Sequence, residues 1–212
     1  MESWPLIAEA LQRGDDAQVA ALTAEALAAG AAAGEILQQG LLAGMNVVGE
    51  RFRRREVFLP DVLLAARAMN AGLELLRPRL AREGVPTQGR LVIGTVQGDL
   101  HDIGKNLVGI LLKGAGFEVI DLGHDVRPEA FVNAALREGA PLIGMSALLT
   151  TTMPRMREVV ELVKARGLQG KLRTIVGGAP VNADFAREIG ADGYAPDAAN
   201  AVERVKALLG VA

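Results

Sequence analysis

The chain has 212 residues and a formal net charge of −2; half of it is hydrophobic but only 3% aromatic, so any core must be built from Ala, Leu, Val and Ile. The charge balance argues against holding nucleic acid by phosphate neutralisation, and the absence of cysteine excludes disulfides, thiolate metal sites and a cysteine nucleophile. The longest apolar run, Pro141 to Leu149, falls far short of the ~20 residues of a membrane helix. Met1-Glu2-Ser3-Trp4 lacks the basic start and apolar stretch of a signal peptide, so a cytoplasmic protein without a membrane partner is expected.

Composition changes near residue 85. Before it Ala and Leu dominate and four helices are predicted. The first runs from Trp4 to about Arg13 and stops at Gly14-Asp15-Asp16, where Asp15 or Asp16 can cap the second. The second reaches about Ala29 before Gly30, and the third runs from about Ala33 through Leu41, Leu42, Met45 and Val48 to Phe52. A charged turn, Arg53-Arg54-Arg55-Glu56, reads as a solvated connection. The fourth helix begins at Leu59-Pro60, with Pro60 suited to the first helical position, and is expected to end near Leu76, with Pro78 beyond it and Gly84-Val85-Pro86 as linker. Short connections suggest an antiparallel bundle over residues 1–86. Phe52 and Leu59 lie near its tip, where they either pack under the helices or are covered by something else.

Residues 88–212 alternate strand, loop and helix. The strands are Leu91–Val96, Phe117–Asp121, Leu142–Ser146, Arg173–Val176 and Gly193–Tyr194. The helices cover about Gly104–Gly114, Pro128–Glu138, Pro154–Arg166, Asn182–Ile189 and Ala198–Leu209. This is an α/β pattern: a five-stranded parallel sheet of flavodoxin-like (Rossmann-like) order 2-1-3-4-5, covered by helices on both faces. In that order the ligand crevice falls between strands one and three.

Strand one leads into Gly98-Asp99-Leu100-His101-Asp102-Ile103-Gly104, and strand three ends at Ser146 before a loop containing Leu148, Thr150 and Thr152. His101, with acids two residues before and one after, reads either as a solvated loop histidine or as a metal-facing imidazole steered by a carboxylate. One His cannot make a structural zinc site; a metal here must arrive in a cofactor that supplies most of its ligands. Gly177-Gly178 is either a plain turn or a place for close backbone approach, and Thr152 also suits an N-cap for the helix at Pro154. The G-x-G-x-x-G and phosphate-loop patterns are absent from the sequence.

The ordered set Asp99-x-His101-x-x-Gly104, Ser146-Ala147-Leu148 and Gly177-Gly178 resembles the cobalamin-binding signature Asp-x-His-x-x-Gly … Ser-x-Leu … Gly-Gly. The helical half is similar to the cap of the same proteins through Met45-Asn46-Val47-Val48-Gly49, Phe52, Phe58-Leu59-Pro60 and Ala65-Ala66-Arg67-Ala68-Met69. The chain thus resembles the corrinoid proteins of methanol, methylamine and O-demethylation methyltransferase systems and the cobalamin module of methionine synthase. The resemblance implies a cobalamin cofactor, as methylcobalamin, in the base-off/His-on state, with His101 replacing the dimethylbenzimidazole as lower cobalt ligand. It implies that Asp99 hydrogen-bonds His101, that Ser146 extends that relay or meets the displaced tail, and that Thr150 and Thr152 line the tail pocket. It further implies that Gly98, Leu100, Asp102, Ile103, Gly104, Leu148, Gly177, Gly178 and Ala179 adjoin the cofactor, and that Phe52, Leu59 and Val62 cover its upper face. Gln38 stands where the methionine synthase module has an acid, and His124 receives no role. The implied activity is methyl carriage between a substrate-specific methyltransferase and a tetrahydrofolate- or thiol-type acceptor enzyme, with a reductive activase as a further candidate partner. An adenosylcobalamin mutase subunit and a cobalamin-based sensor are the alternatives.

Overall fold

The computed structural model describes residues 4–85 and 87–211, so Met1–Ser3, Pro86 of the linker and Ala212 lie outside it. The chain divides into two units, Met1–Pro86 with Gly114–Gly116, and Thr87–Lys113 with Phe117–Ala212.

The first unit is helical. α1 (Trp4–Gln12) and α2 (Asp16–Ala28) are joined by a tight turn, and Asp15 caps α2 by accepting the Gln18 amide at 3.0 Å. The expected third helix is one rod built from α3 (Ala33–Glu35), a π segment (Ile36–Leu42) and α4 (Ala43–Arg53). The wider turn brings Ile36 and Leu41, five residues apart and both fully buried, to the same side. Period-3.6 reasoning has no means of anticipating that. Gly40 and Gly44 let α1 come close: a β-carbon on Gly44 would lie 2.9 Å from the Ala8 carbonyl oxygen, and one on Gly40 3.0 Å from Ile7.

α5 (Leu59–Glu83) runs well past the end near Leu76 expected from sequence and contains Pro78. A mid-helix proline removes one backbone bond and crowds the preceding turn, so the last turns need another anchor. Glu83 supplies it, accepting the amides of Ala33 and Gly34 at 3.2 and 3.3 Å, so that the end of α5 caps the start of α3. Gly84, in the left-handed conformation (φ 63°), closes the helix. At the other end Asp61 accepts the Phe58 amide at 2.8 Å.

The second unit is a five-stranded, all-parallel sheet of order β2-β1-β3-β4-β5, the order expected from sequence. The strands are β1 (Arg90–Thr95), β2 (Glu118–Asp121), β3 (Leu142–Ser146), β4 (Arg173–Gly177) and β5 (Gly193–Ala195). The helices are α6 (Ile103–Gly114), α7 (Pro128–Glu138), α8 (Pro154–Ala165), α9 (Ala183–Ile189) and α10 (Ala198–Leu209). Phe131, Val132, Met156 and Val159 from α7 and α8 pack with Val92, Ile143, Met145 and Val176 in the main core. Register places Thr95 beside Ser146, Ser146 beside Gly177 and Gly177 beside Ala195. The carboxyl ends of four strands therefore stop in line, and the loops leaving them share one edge.

Candidate functional site

At that edge the loop after β1 turns through Gly98 (φ 84°) and buries Asp99 completely. One carboxylate oxygen, Oδ1, accepts the His101 amide at 3.0 Å and faces His101 Nδ1 at 2.8 Å. The other, Oδ2, accepts the amides of Leu148 at 2.7 Å and Leu149 at 3.2 Å, and lies 2.9 Å from the Thr152 hydroxyl. Burial, the largest single influence on Asp99, favours its neutral form. The amides of Leu148 and His101, the His101 ring and the Thr152 hydroxyl together outweigh it and hold the carboxyl well below the usual carboxylate range. An ionised carboxylate only accepts, so the hydrogen-bond network assigns the proton to His101 Nδ1. Nε2 keeps its lone pair, on a side chain that is 53% exposed.

His101 opens onto a cleft of about 560 Å³ on the face of the sheet covered by α6 and α10. Leu107, Val108 and Leu112 of α6 form one wall, and Ala198, Ala201 and Val205 of α10 the other. Small residues, Gly144 and Gly177, floor it. Gly178 takes φ 128°, and a β-carbon there would lie 1.9 Å from the Ala147 carbonyl oxygen, so this stretch of wall must be bare backbone. Leu100 and Ile103 beside the imidazole are 67% and 72% exposed, an apolar rim around the free ring nitrogen.

Among the described residues no group of three or more His, Cys, Asp or Glu could hold a metal ion. A bare ion would find one protein ligand, whereas a metal already chelated by a flat, largely apolar ring needs one. The donor set, the apolar rim and the glycine-floored cleft fit a corrinoid with its nucleotide tail.

Of the residues singled out from sequence, Leu100, His101, Asp102, Ile103 and Gly104 line the cleft on one side. Ser146, Leu148, Gly177, Gly178 and Ala179 line it on the other. Gly98 and Asp99 lie in the loop behind His101. Thr150 is exposed and Thr152 buried, and neither is on the cleft wall. Thr152 does not cap α8, whose N-cap Met153 makes no side-chain bond; its hydroxyl is taken by Asp99 and the Leu149 carbonyl. Thr152 therefore occupies the place beside Asp99 that the resemblance offered to Ser146. Phe52 and Leu59, in the helical unit, are half-buried, Val62 is fully buried, and Gln38 is exposed.

Sequence reasoning passed over two further groups. The buried Thr95 hydroxyl donates to the His101 carbonyl at 3.1 Å and fixes the loop from below. Lys105, 3% exposed, reaches Asp121 at the end of β2 at 2.5 Å and the Asn106 side chain at 2.6 Å. The available signal was a lysine at helical spacing (i, i+4, i+7) with Gly109 and Leu112, on the apolar face of α6.

Residues 89–203 and 6–77 each match a B12 binding domain family. The chain is 43% identical over 205 residues to a corrinoid protein of Desulfitobacterium hafniense, covering 95% of both chains. It is 46% identical over 197 residues to trimethylamine corrinoid protein 1 of Methanosarcina mazei, covering 92% of this chain and 91% of the other. Among solved structures, the methanol:cobalamin methyltransferase complex of Methanosarcina barkeri matches with TM-score 0.87 and 33% identity, over 96% of this chain and 78% of that one.

Proposed function

The chain belongs to the B12-binding corrinoid proteins of methyltransferase systems, its cofactor is cobalamin, and from that premise we propose that it carries a methyl group between two partner enzymes with His101 as the lower cobalt ligand. When bound, the cofactor supplies a cobalt that accepts a methyl group and gives it up again. The protein's part is to bind, orient and tune.

The observation that carries the reading is the pairing of a fully buried carboxylate with His101 Nδ1, which leaves Nε2 free at the cleft mouth. Asp99 fixes the tautomer, and its five hydrogen bonds fix the ring's orientation. Movement of a proton onto the Asp99–His101 pair would take the lone pair from Nε2 and weaken ligation, so the pair serves as the tuning element for the cobalt. Leu100 and Ile103 would offer apolar contact beside the cofactor, and the cleft between α6 and α10 would shield its tail from water. Phe52, Leu59 and Val62 of the helical unit are candidate cofactor contacts on the strength of the family resemblance.

The names of the relatives point to methylamines or methanol as sources of the methyl group and to methyltransferases as partners. We assign those two partner classes, a donor-side and an acceptor-side methyltransferase, to this chain. The test is to load the protein with cobalamin, reduce the cobalt with a strong chemical reductant such as titanium(III) citrate, mix it with a candidate donor-side methyltransferase and a methyl-labelled substrate, and follow the label. The label is expected to become protein-bound and then to leave only when an acceptor-side enzyme is added. A loaded protein that takes up no label from any methylamine, methanol or O-demethylation enzyme would refute the carrier role.

A further inference from the structure

The loop after β2 holds a residue that lies outside the sequence signature. Gly123-His124-Asp125 runs beside the Gly98–His101 loop: the Thr95 amide donates to the Gly123 carbonyl at 2.9 Å and the Val126 amide to the Thr95 carbonyl at 3.0 Å. Asp125 adopts φ 54°, and Arg55 is the only other non-glycine residue with positive φ among the described residues. This region disfavours residues with a β-carbon, Asn and Asp least, and an outlier of this kind invites a functional reading.

In this conformation Asp125 makes two bonds to the neighbouring loop. Its amide donates to the Asp99 carbonyl at 3.1 Å, and its Oδ1 accepts the Gly98 amide at 2.7 Å. Asp99 is thus held from two sides, its carboxylate by residues 148–152 and its main chain by Asp125. The carboxylate alone cannot give the imidazole one direction if the backbone that carries it is free to shift.

We propose that Asp125 is a positioning residue for the cofactor site, a latch that sets the path of the Gly98–His101 loop and so the direction in which His101 presents Nε2. The latch acquires its purpose from the cobalt-ligand reading above.

Three variants separate the acceptor from the backbone. Asp125→Asn keeps Oδ1 and tolerates positive φ; Asp125→Gly tolerates the backbone without an acceptor; Asp125→Ala loses both advantages. In the apoprotein, exchange of the Gly98 amide proton is expected to quicken about tenfold in the Gly and Ala variants and to stay near wild type in the Asn variant. In the loaded protein, cobalamin affinity should fall about three- to tenfold in Gly and Ala, with a smaller His-ligated fraction in the visible spectrum, while Asn restores both. Unchanged Gly98 exchange in Asp125→Gly, wild-type affinity and spectrum in that variant, or an Asn variant no better than Gly would each overturn the latch. A wild type that takes up no cobalamin would overturn the reading of the site itself. The exchange measurement needs no cofactor and decides the latch separately.

Discussion

Replacing Asp99 by Asn probes the proton arrangement of the site with almost no change of shape. The two carboxylate oxygens are not equivalent. Oδ2 receives two main-chain amides and sits by the Thr152 hydroxyl, whereas Oδ1 receives one amide and the His101 ring. The Asn oxygen should therefore take the Oδ2 side, where the side-chain NH2, a donor only, would confront the Leu148 and Leu149 amides. The NH2 then faces His101, where it meets the His101 main-chain amide unfavourably and can donate to Nδ1. The imidazole is driven to carry its proton on Nε2, the atom that needs its lone pair to ligate.

Loss of the charge-assisted bonds to Oδ1 should cost the apoprotein about 2 kcal/mol. Loss of the correct tautomer should weaken cobalamin binding about 10–100-fold, the usual effect of removing a partner that orients a metal ligand. Nitrogen-15 NMR of the apoprotein reads the tautomer directly, and visible titration with cobalamin reads the affinity. An Asn variant that keeps its proton on Nδ1 and binds cobalamin with wild-type affinity would refute the argument.

The depressed Asp99 ionisation also makes a pH prediction. The unfolded chain binds a proton near the ordinary carboxylate value, about 3.9, while the folded chain resists until lower pH, so this contribution is full above that value and fades below it. The stability gap between wild type and Asp99→Asn, measured by denaturant unfolding, should therefore shrink below about pH 4. A gap independent of pH down to the acid limit would contradict it. Gly178→Ala combines an unfavourable φ of 128° with a β-carbon 1.9 Å from the Ala147 carbonyl oxygen. It should cost about 3–5 kcal/mol in urea unfolding, and a cost below about 1 kcal/mol would show that the strand ends can part. The Lys105–Asp121 pair predicts an asymmetry, because Lys105 is 3% exposed and Asp121 37%. Asp121→Ala leaves a buried ammonium and should destabilise by about 1–3 kcal/mol, whereas Lys105→Met should remain within about 1 kcal/mol of wild type. Equal losses in the two variants would go against that account.

The sheet was legible because each parallel strand is a short apolar run ended by glycine or polar residues, and the strand order implied by that pattern by itself brings the Asp99 and Ser146 loops together. Gly177-Gly178 could be found as a motif, but only the left-handed backbone of Gly178 against Ala147 separates a required glycine from an ordinary turn. The end of α5 was misread because Pro78 is normally a stop, and the compensating contact, Glu83 on the start of α3, joins residues about fifty positions apart. The π segment escaped because its buried residues follow a spacing of five. Around His101 the sequence indicated the carboxylate two positions earlier. It could not show that Thr152 turns inward to Asp99, since a threonine before a Met-Pro helix start reads equally well as a cap.

The central claim is that a nitrogen of His101 ligates cobalt. The direct measurement is electron paramagnetic resonance of the protein loaded with paramagnetic cobalt(II) cobalamin, with histidine carrying either nitrogen-14 or nitrogen-15. The superhyperfine pattern is predicted to change with the histidine isotope and to lose that dependence in His101→Ala. A pattern indifferent to the histidine label would mean that no histidine nitrogen ligates the cobalt, and would contradict the account.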